Sequence, residues 1–226
     1  LLGLCIGSLL NVLIDRLPKG EDVLCGRSNC DHCKKTLRWY ELIPVLSFIY
    51  QRGRCKRCHR KLSLQYPLVE LVTAVGFVLL APSYWLIFSS LLVIFMADLK
   101  YQIIPDSMII VGIIGVLLQP QGPALWLSGF GAMAFFYALW FATKGKSMGF
   151  GDVKLAGVLG ILLGFPLIIS ALYIAFLTGA GVGVILILRG RKSLKSKIAF
   201  GPFMVFGTLV SIVFNNTIIT LWKMYF

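Results

Sequence analysis

Eight apolar runs, separated by short polar or Gly/Pro-bearing turns and one long polar loop, constrain this chain more than any other feature. They fall near residues 1–15, 67–81, 84–97, 107–119, 124–143, 153–163, 167–188 and 203–221. In hydrocarbon every backbone N–H and C=O needs an internal partner, so such runs are helices. With 58% apolar residues in 226, the chain is predicted to be an all-α polytopic membrane protein of about eight transmembrane helices. Leu1–Ile14 reads as the truncated remainder of a first span rather than a signal peptide, because no small-residue cleavage site follows. The run 153–163 is short for a crossing. It is expected to borrow residues across Gly164-Phe165-Pro166 or to sit where the bilayer thins.

The formal charge of +13 could suggest a nucleic-acid binder, but its distribution argues for topology instead. Nearly all Lys and Arg lie in the connections 16–66, 98–106, 144–152 and 189–202. The intervening turns at Pro82-Ser83, Gln119–Pro123 and Gly164–Pro166 carry no charge. The positive-inside rule then places the N-terminus outside and the four basic connections in the cytoplasm, against anionic headgroups. No nucleic acid is needed. Gly129-Phe130-Gly131 and Gly179-Ala180-Gly181-Val182-Gly183 fit close helix packing in lipid.

The connection between the first and second runs holds two knuckles, Cys30-Asp31-His32-Cys33 and Cys55-Lys56-Arg57-Cys58. Paired C-x-x-C motifs at this separation match a tetrahedral zinc site, which would supply folding energy to a loop poor in apolar residues. Disulfides are disfavoured on the reducing side of a membrane. Cys55-Lys56-Arg57-Cys58-His59 also spells a haem attachment signature, but haem would leave the first knuckle idle. His32 or His59 could replace a cysteine as ligand. Cys25 is a spare thiol, and Cys5 is an apolar filler within a span. The apolar stretch from Trp39 to Tyr50 could pack on the metal module or lie among headgroups.

Two acids stand at the edges of apolar runs. Asp98 ends one and opens Asp98-Leu99-Lys100-Tyr101-Gln102-Ile103-Ile104-Pro105-Asp106, and Asp152 closes Gly149-Phe150-Gly151-Asp152. Acids at membrane depth are costly and therefore functional suspects. Two close carboxyls cannot both ionise cheaply, so a pair can share one proton and act as general base and general acid on a peptide bond. Asp152 could instead cap the helix that follows, and Asp106, after Pro105, reads as a cap. Asp98 has no such explanation, because it follows its helix, where the dipole disfavours an anion. Gly149 and Gly151 would allow tight turns and close approach of substrate. Lys100 and Lys154 read as headgroup anchors.

Taken in order, several segments resemble the type IV prepilin peptidases, the bifunctional leader peptidase/N-methyltransferases of bacterial membranes. These are Ile6–Pro18, both knuckles with Leu42-Ile43-Pro44 and Gly53-Arg54-Cys55 between them, and Tyr66-Pro67-Leu68-Val69-Glu70. They continue with Asp98…Ile104-Pro105-Asp106, Gly149–Lys154 and Phe200-Gly201-Pro202-Phe203. Departures are small: Asp31 stands where Pro is usual, Gln65 where Arg often is, and Leu9 where Phe is common. The resemblance implies an endopeptidase of the inner membrane with Asp98 and Asp152 as its catalytic pair and Gly149 and Gly151 completing the GxGD string. Its substrate would be the N-terminus of a prepilin or pseudopilin precursor, cut after Gly at the cytoplasmic face. S-adenosylmethionine would then methylate the new amine, with Asn11, Arg16, Gly53 and Glu70 as candidates for that site. No Gly-rich Rossmann turn is visible to hold the donor. The expected division is a first helix over 1–17, a cytoplasmic zinc loop over 18–66 linked to methyl transfer, and a peptidase core over 67–226. Three other readings stay open: a GxGD protease without methylation, a transporter using the acids as proton relays, and a zinc-bearing scaffold.

Overall fold

The computed structural model describes residues 1–23, 26, 28–30, 32–120, 122–145, 148–190 and 199–225. Cys25, Asp31 and most of the basic connection 189–202 lie outside them. Among the described residues every regular element is helical, and the only β pairing is two isolated bridges. All eight apolar runs form helices. They are α1 (Leu2–Arg16), α3 (Gln65–Leu79), α4 (Trp85–Tyr101), α5 (Asp106–Leu117), α6 (Pro123–Ala142), α7 (Phe150–Leu163), α8 (Leu167–Leu188) and the pair α9 (Gly201–Val213) and α10 (Asn215–Tyr225). A short helix, α2 (Leu46–Tyr50), lies within the long loop.

By length and composition three helices can cross a membrane: α4 with its leading turn from Pro82, α6 and α8. The expected single span over 203–221 is instead bent by 79° at Phe214 and counts as a fourth only if the bent pair is one span. Asn215 and Asn216 follow the bend, and their side chains compete with the backbone ladder, which favours a helix end there. The short helix α7 does not borrow residues beyond Leu163. It stops at Gly164, which takes φ +68. Nine of its 14 residues are buried, so protein rather than lipid surrounds it.

The chain forms two compact units, Leu1–Val93 and Ile94–Phe226. In the first, α1 packs on α3 through glycines. A Cβ on Gly3 would come 2.7 Å from Ala74 Cα, and one on Gly7 would come 2.6 Å from Glu70 Cα. This small-xxx-small approach draws the backbones together. In the second, α6 meets α7 where Gly160 faces Gly129, whose Cα would lie 2.7 Å from an added Cβ. Gly179 packs on Phe203 and Phe200, and Gly207 of α9 sits against the backbone of Ala171. Gly131 and Gly181, expected to serve packing as well, face open space. An aromatic cluster of Phe136, Phe176 and Phe200 ties α6 and α8 to the residue before α9. It fixes where α9 begins.

Candidate functional site

In the second unit, α4 carries Asp98 in its last turn and ends at Gln102, whose φ of +56 breaks the helix. The chain then runs extended through Pro105 into α5. Asp98 is buried, and its Oδ2 accepts the amide of Gly201 at 2.8 Å. That amide opens α9, so the positive end of a second helix offsets the unfavourable end of Asp98's own. Asp152 is also buried, three residues into α7's first turn, and its Oδ2 accepts the amide of Gly149 at 3.1 Å. It is therefore not the N-cap residue; Gly149 is. Ile104 packs on both Gly151, the neighbour of Asp152, and Gly201, which holds Asp98, so one side chain brings the surroundings of the two acids together.

The glycines have unequal reasons. Gly149 sits in extended backbone that any residue adopts, with room around it. A Cβ on Gly151 would come 2.9 Å from Ile104 Cβ, and one on Gly201 would come 2.7 Å from Asp98 Oδ2. Sequence reasoning quoted Gly201 only within a segment of the resemblance and gave it no role of its own. Its signal was Gly-Pro opening an apolar run, with its amide free by helix geometry. Asp106 is the first residue of α5 and makes no cap bond; its Oδ1 instead takes Lys154 Nζ at 2.7 Å. Lys154 thus has a protein partner, not only the headgroup expected for it.

In the first unit the two knuckles are structural copies of each other, a repeat that residue identity hides. In each, the first cysteine's amide donates to a carbonyl five residues on, Lys35 or Arg60. Its carbonyl accepts from the amide four residues on, of Lys34 or His59, and both of these take φ +55. The Sγ atoms of Cys30, Cys33, Cys55 and Cys58 lie within 4.8 Å of one another, with Cys30 and Cys58 at 3.9 Å. These four could hold a metal ion, and no disulfide joins the described cysteines. Neither histidine joins the group; His32 Nδ1 stands 3.5 Å from Arg60. Burial pushes the Cys30 thiol up to about 11, whereas the amides of Cys58 and Arg57 hold Cys55 at about 6.

Beside the knuckles is a cavity of about 300 Å³. Three of the four methyl-donor candidates, Asn11, Arg16 and Glu70, line it. Asn11 bridges α1 to α3 through the Tyr66 carbonyl at 3.0 Å, and Arg16 binds the carbonyls of Asp22 and Gly26. Gly53 does not line it. With φ +65, it makes the turn against which the Phe48 ring packs, and Phe48 lines the cavity. Of the other apolar residues in the stretch from Trp39 to Tyr50, Trp39, Leu42, Ile43, Leu46, Ile49 and Tyr50 are exposed. Glu41, which the sequence did not single out, is buried in the lining.

Comparison with known proteins bears on both units. Residues 85–184 match the type IV leader peptidase family, and residues 1–84 match the bacterial peptidase A24 N-terminal domain. A prepilin leader peptidase/N-methyltransferase of Bacillus subtilis (strain 168) is 31% identical over 97% of this chain and 94% of its own. Proteins of the same name from Pectobacterium carotovorum subsp. carotovorum and Aeromonas hydrophila are 33% and 32% identical, over 95% and 98% of this chain and 91% of each relative. No solved structure matches.

Proposed function

The chain belongs to the type IV leader peptidase family, and on that premise we propose how its residues divide the work. It is an integral membrane enzyme that processes prepilin-like precursors and methylates the N-terminus it exposes. Asp98 and Asp152 form the catalytic pair. One carboxylate takes a proton from water while the other, protonated, polarises the scissile carbonyl; the proton then passes to the leaving amine. The observation that carries this reading is two buried acids, each held by a backbone amide, with Ile104 packed against the glycine beside one and the glycine that holds the other. The amides of Gly149 and Gly201 fix both acids without spending a second side chain.

The four thiolates suit zinc. With Zn–S near 2.3 Å, a tetrahedron has S···S edges of about 3.8 Å, close to the 3.9 Å between Cys30 and Cys58. Such an ion holds the two knuckles together when bound. Loop 18–66 serves methyl transfer and 67–226 the peptidase core, with Asn11, Arg16 and Glu70 beside the S-adenosylmethionine site. Eight spans carry the basic connections, both acids and the zinc loop to the cytoplasmic face of the inner membrane, against anionic headgroups. There the leader of a prepilin or pseudopilin is cut after Gly. The charge alternation of the connections supports this orientation.

Incubation of purified protein in detergent with a pilin-like precursor and the methyl donor tests the reading by mass. Loss of the leader mass marks proteolysis, and a further methyl increment marks transfer. An unchanged precursor contradicts both.

A further inference from the structure

One side chain of the second unit lies outside any helix and still touches the surroundings of both acids. Ile104 sits on the connection between α4 and α5, partly buried, just before Pro105, which disfavours a helical turn there. Its Cβ is 2.9 Å from the place a Cβ on Gly151 would take. Its Cδ1 is 3.5 Å from that same place and 3.4 Å from the corresponding place on Gly201. One methyl group therefore fills the gap between the second residue of α7 and the first of α9.

These two helix starts hold the two acids. Gly201 donates its amide to Asp98 Oδ2 at 2.8 Å, and its bare Cα faces that oxygen as well as Ile104. Asp152 follows Gly151 directly and accepts the Gly149 amide at 3.1 Å. Whatever sets the distance between Gly151 and Gly201 thus sets the distance between the acids. Isoleucine suits a spacer, because branching at Cβ leaves χ1 few choices and holds the tip in place. Glycine on both sides seats it against backbone, with no flexible side chain to absorb a change. Beyond Pro105 the connection is tied to α7 a second time, where Asp106 Oδ1 takes Lys154 Nζ at 2.7 Å.

We propose that Ile104 is a positioning residue for peptide cleavage: its side chain, wedged between Gly151 and Gly201, fixes the spacing of Asp98 and Asp152. The assignment rests on the reading of those acids as the catalytic pair and deepens it by naming what sets their separation. Two carboxyls that must reach one water and one peptide bond together work over a narrow range of separations. A displacement of about 1 Å can slow such a reaction about 100-fold. Ile104 has no group that titrates or reacts, so its contribution passes through the acids.

Steady-state leader removal by the full chain in detergent, followed by mass on a pilin-like precursor, tests this with three variants. Ile104→Ala, which removes the spacer, is expected to lower kcat at least about tenfold and to leave KM within about twofold. Ile104→Val, which keeps the branch at Cβ and loses Cδ1, is expected to fall between Ile104→Ala and the wild type. Ile103→Ala, at the exposed neighbouring position, is expected to keep the wild-type kcat. A kcat for Ile104→Ala within about twofold of wild type overturns the assignment. So does a raised KM with kcat retained, which marks a substrate contact instead. An equal loss in Ile103→Ala overturns it too, because it marks general loosening of the connection. Should Ile104→Ala fail to fold, Ile104→Val decides alone, and a kcat equal to wild type overturns the assignment. Asp98→Asn and Asp152→Asn are assayed beside these. Activity in them sinks the catalytic reading, whereas their loss beside a normal Ile104→Ala sinks only the spacer.

Discussion

The amide of Gly201 donates to Asp98 Oδ2 at 2.8 Å, and a side chain on residue 201 would press into the same oxygen, with Cβ only 2.7 Å away. One position thus both holds the acid and leaves room for it. Gly201→Ala adds a methyl group against the carboxylate. Overpacking of this kind costs roughly 1–3 kcal/mol, and strain falling on a positioned acid lowers turnover roughly 10- to 100-fold. Initial rates of leader removal, read beside thermal unfolding in detergent, check this: activity falls much further than stability.

Asp106 lies on the same connection as Asp98 but has a different task, pairing with Lys154 at 2.7 Å. Both side chains are partly exposed, and such pairs contribute about 0–1 kcal/mol. Asp106→Asn therefore leaves leader removal within about threefold of wild type. A loss comparable to that of an Asp98 variant would reassign the chemistry.

Metal affinity in the loop depends on pH with a definite sign. Cys55 is a thiolate above about 6, while Cys30 stays protonated up to about 11. A thiol must lose its proton to bind metal, so the burial of Cys30 makes apparent affinity fall as pH falls below its value. Competition with a chromophoric chelator at pH 6, 7 and 8 measures it. The same assay yields the stoichiometry, expected to be one zinc per chain. For Cys55, whose folded value lies below the usual thiol range, stabilisation of the metal-free loop is present at high pH and is lost as pH falls through about 6.

Gly160 sits where α6 packs closely on α7, its missing Cβ only 2.8 Å from the Ser128 carbonyl. Gly160→Ala forces the two helices apart and destabilises the second unit by roughly 1–3 kcal/mol. A lowered midpoint for thermal unfolding in detergent is the expected readout, whereas Gly131→Ala, facing open space, leaves the midpoint unchanged.

The helices were legible because hydrocarbon admits little else, and each apolar run from Leu2–Arg16 to Leu167–Leu188 became one. Paired C-x-x-C spacing likewise carried enough to predict the cysteine cluster. What the runs could not encode was their surroundings. The helix α7 is as apolar as its neighbours but is enclosed by protein, and the break at Phe214 depends on two asparagines within an apolar segment. At the site, an acid advertises itself by its cost at membrane depth. The amide that holds it does not, since every residue but proline has one. Gly201 gained its place beside Asp98 only through long-range approach, which periodicity does not register.

The most direct measurement is leader removal by Asp98→Asn and Asp152→Asn, each purified in detergent and followed by mass on a pilin-like precursor. Each change keeps the side chain's shape and removes its ability to carry a proton between water and the peptide bond. The account predicts that both variants unfold at the wild-type temperature and cleave roughly 10²- to 10⁴-fold more slowly. Cleavage at the wild-type rate by either one contradicts it.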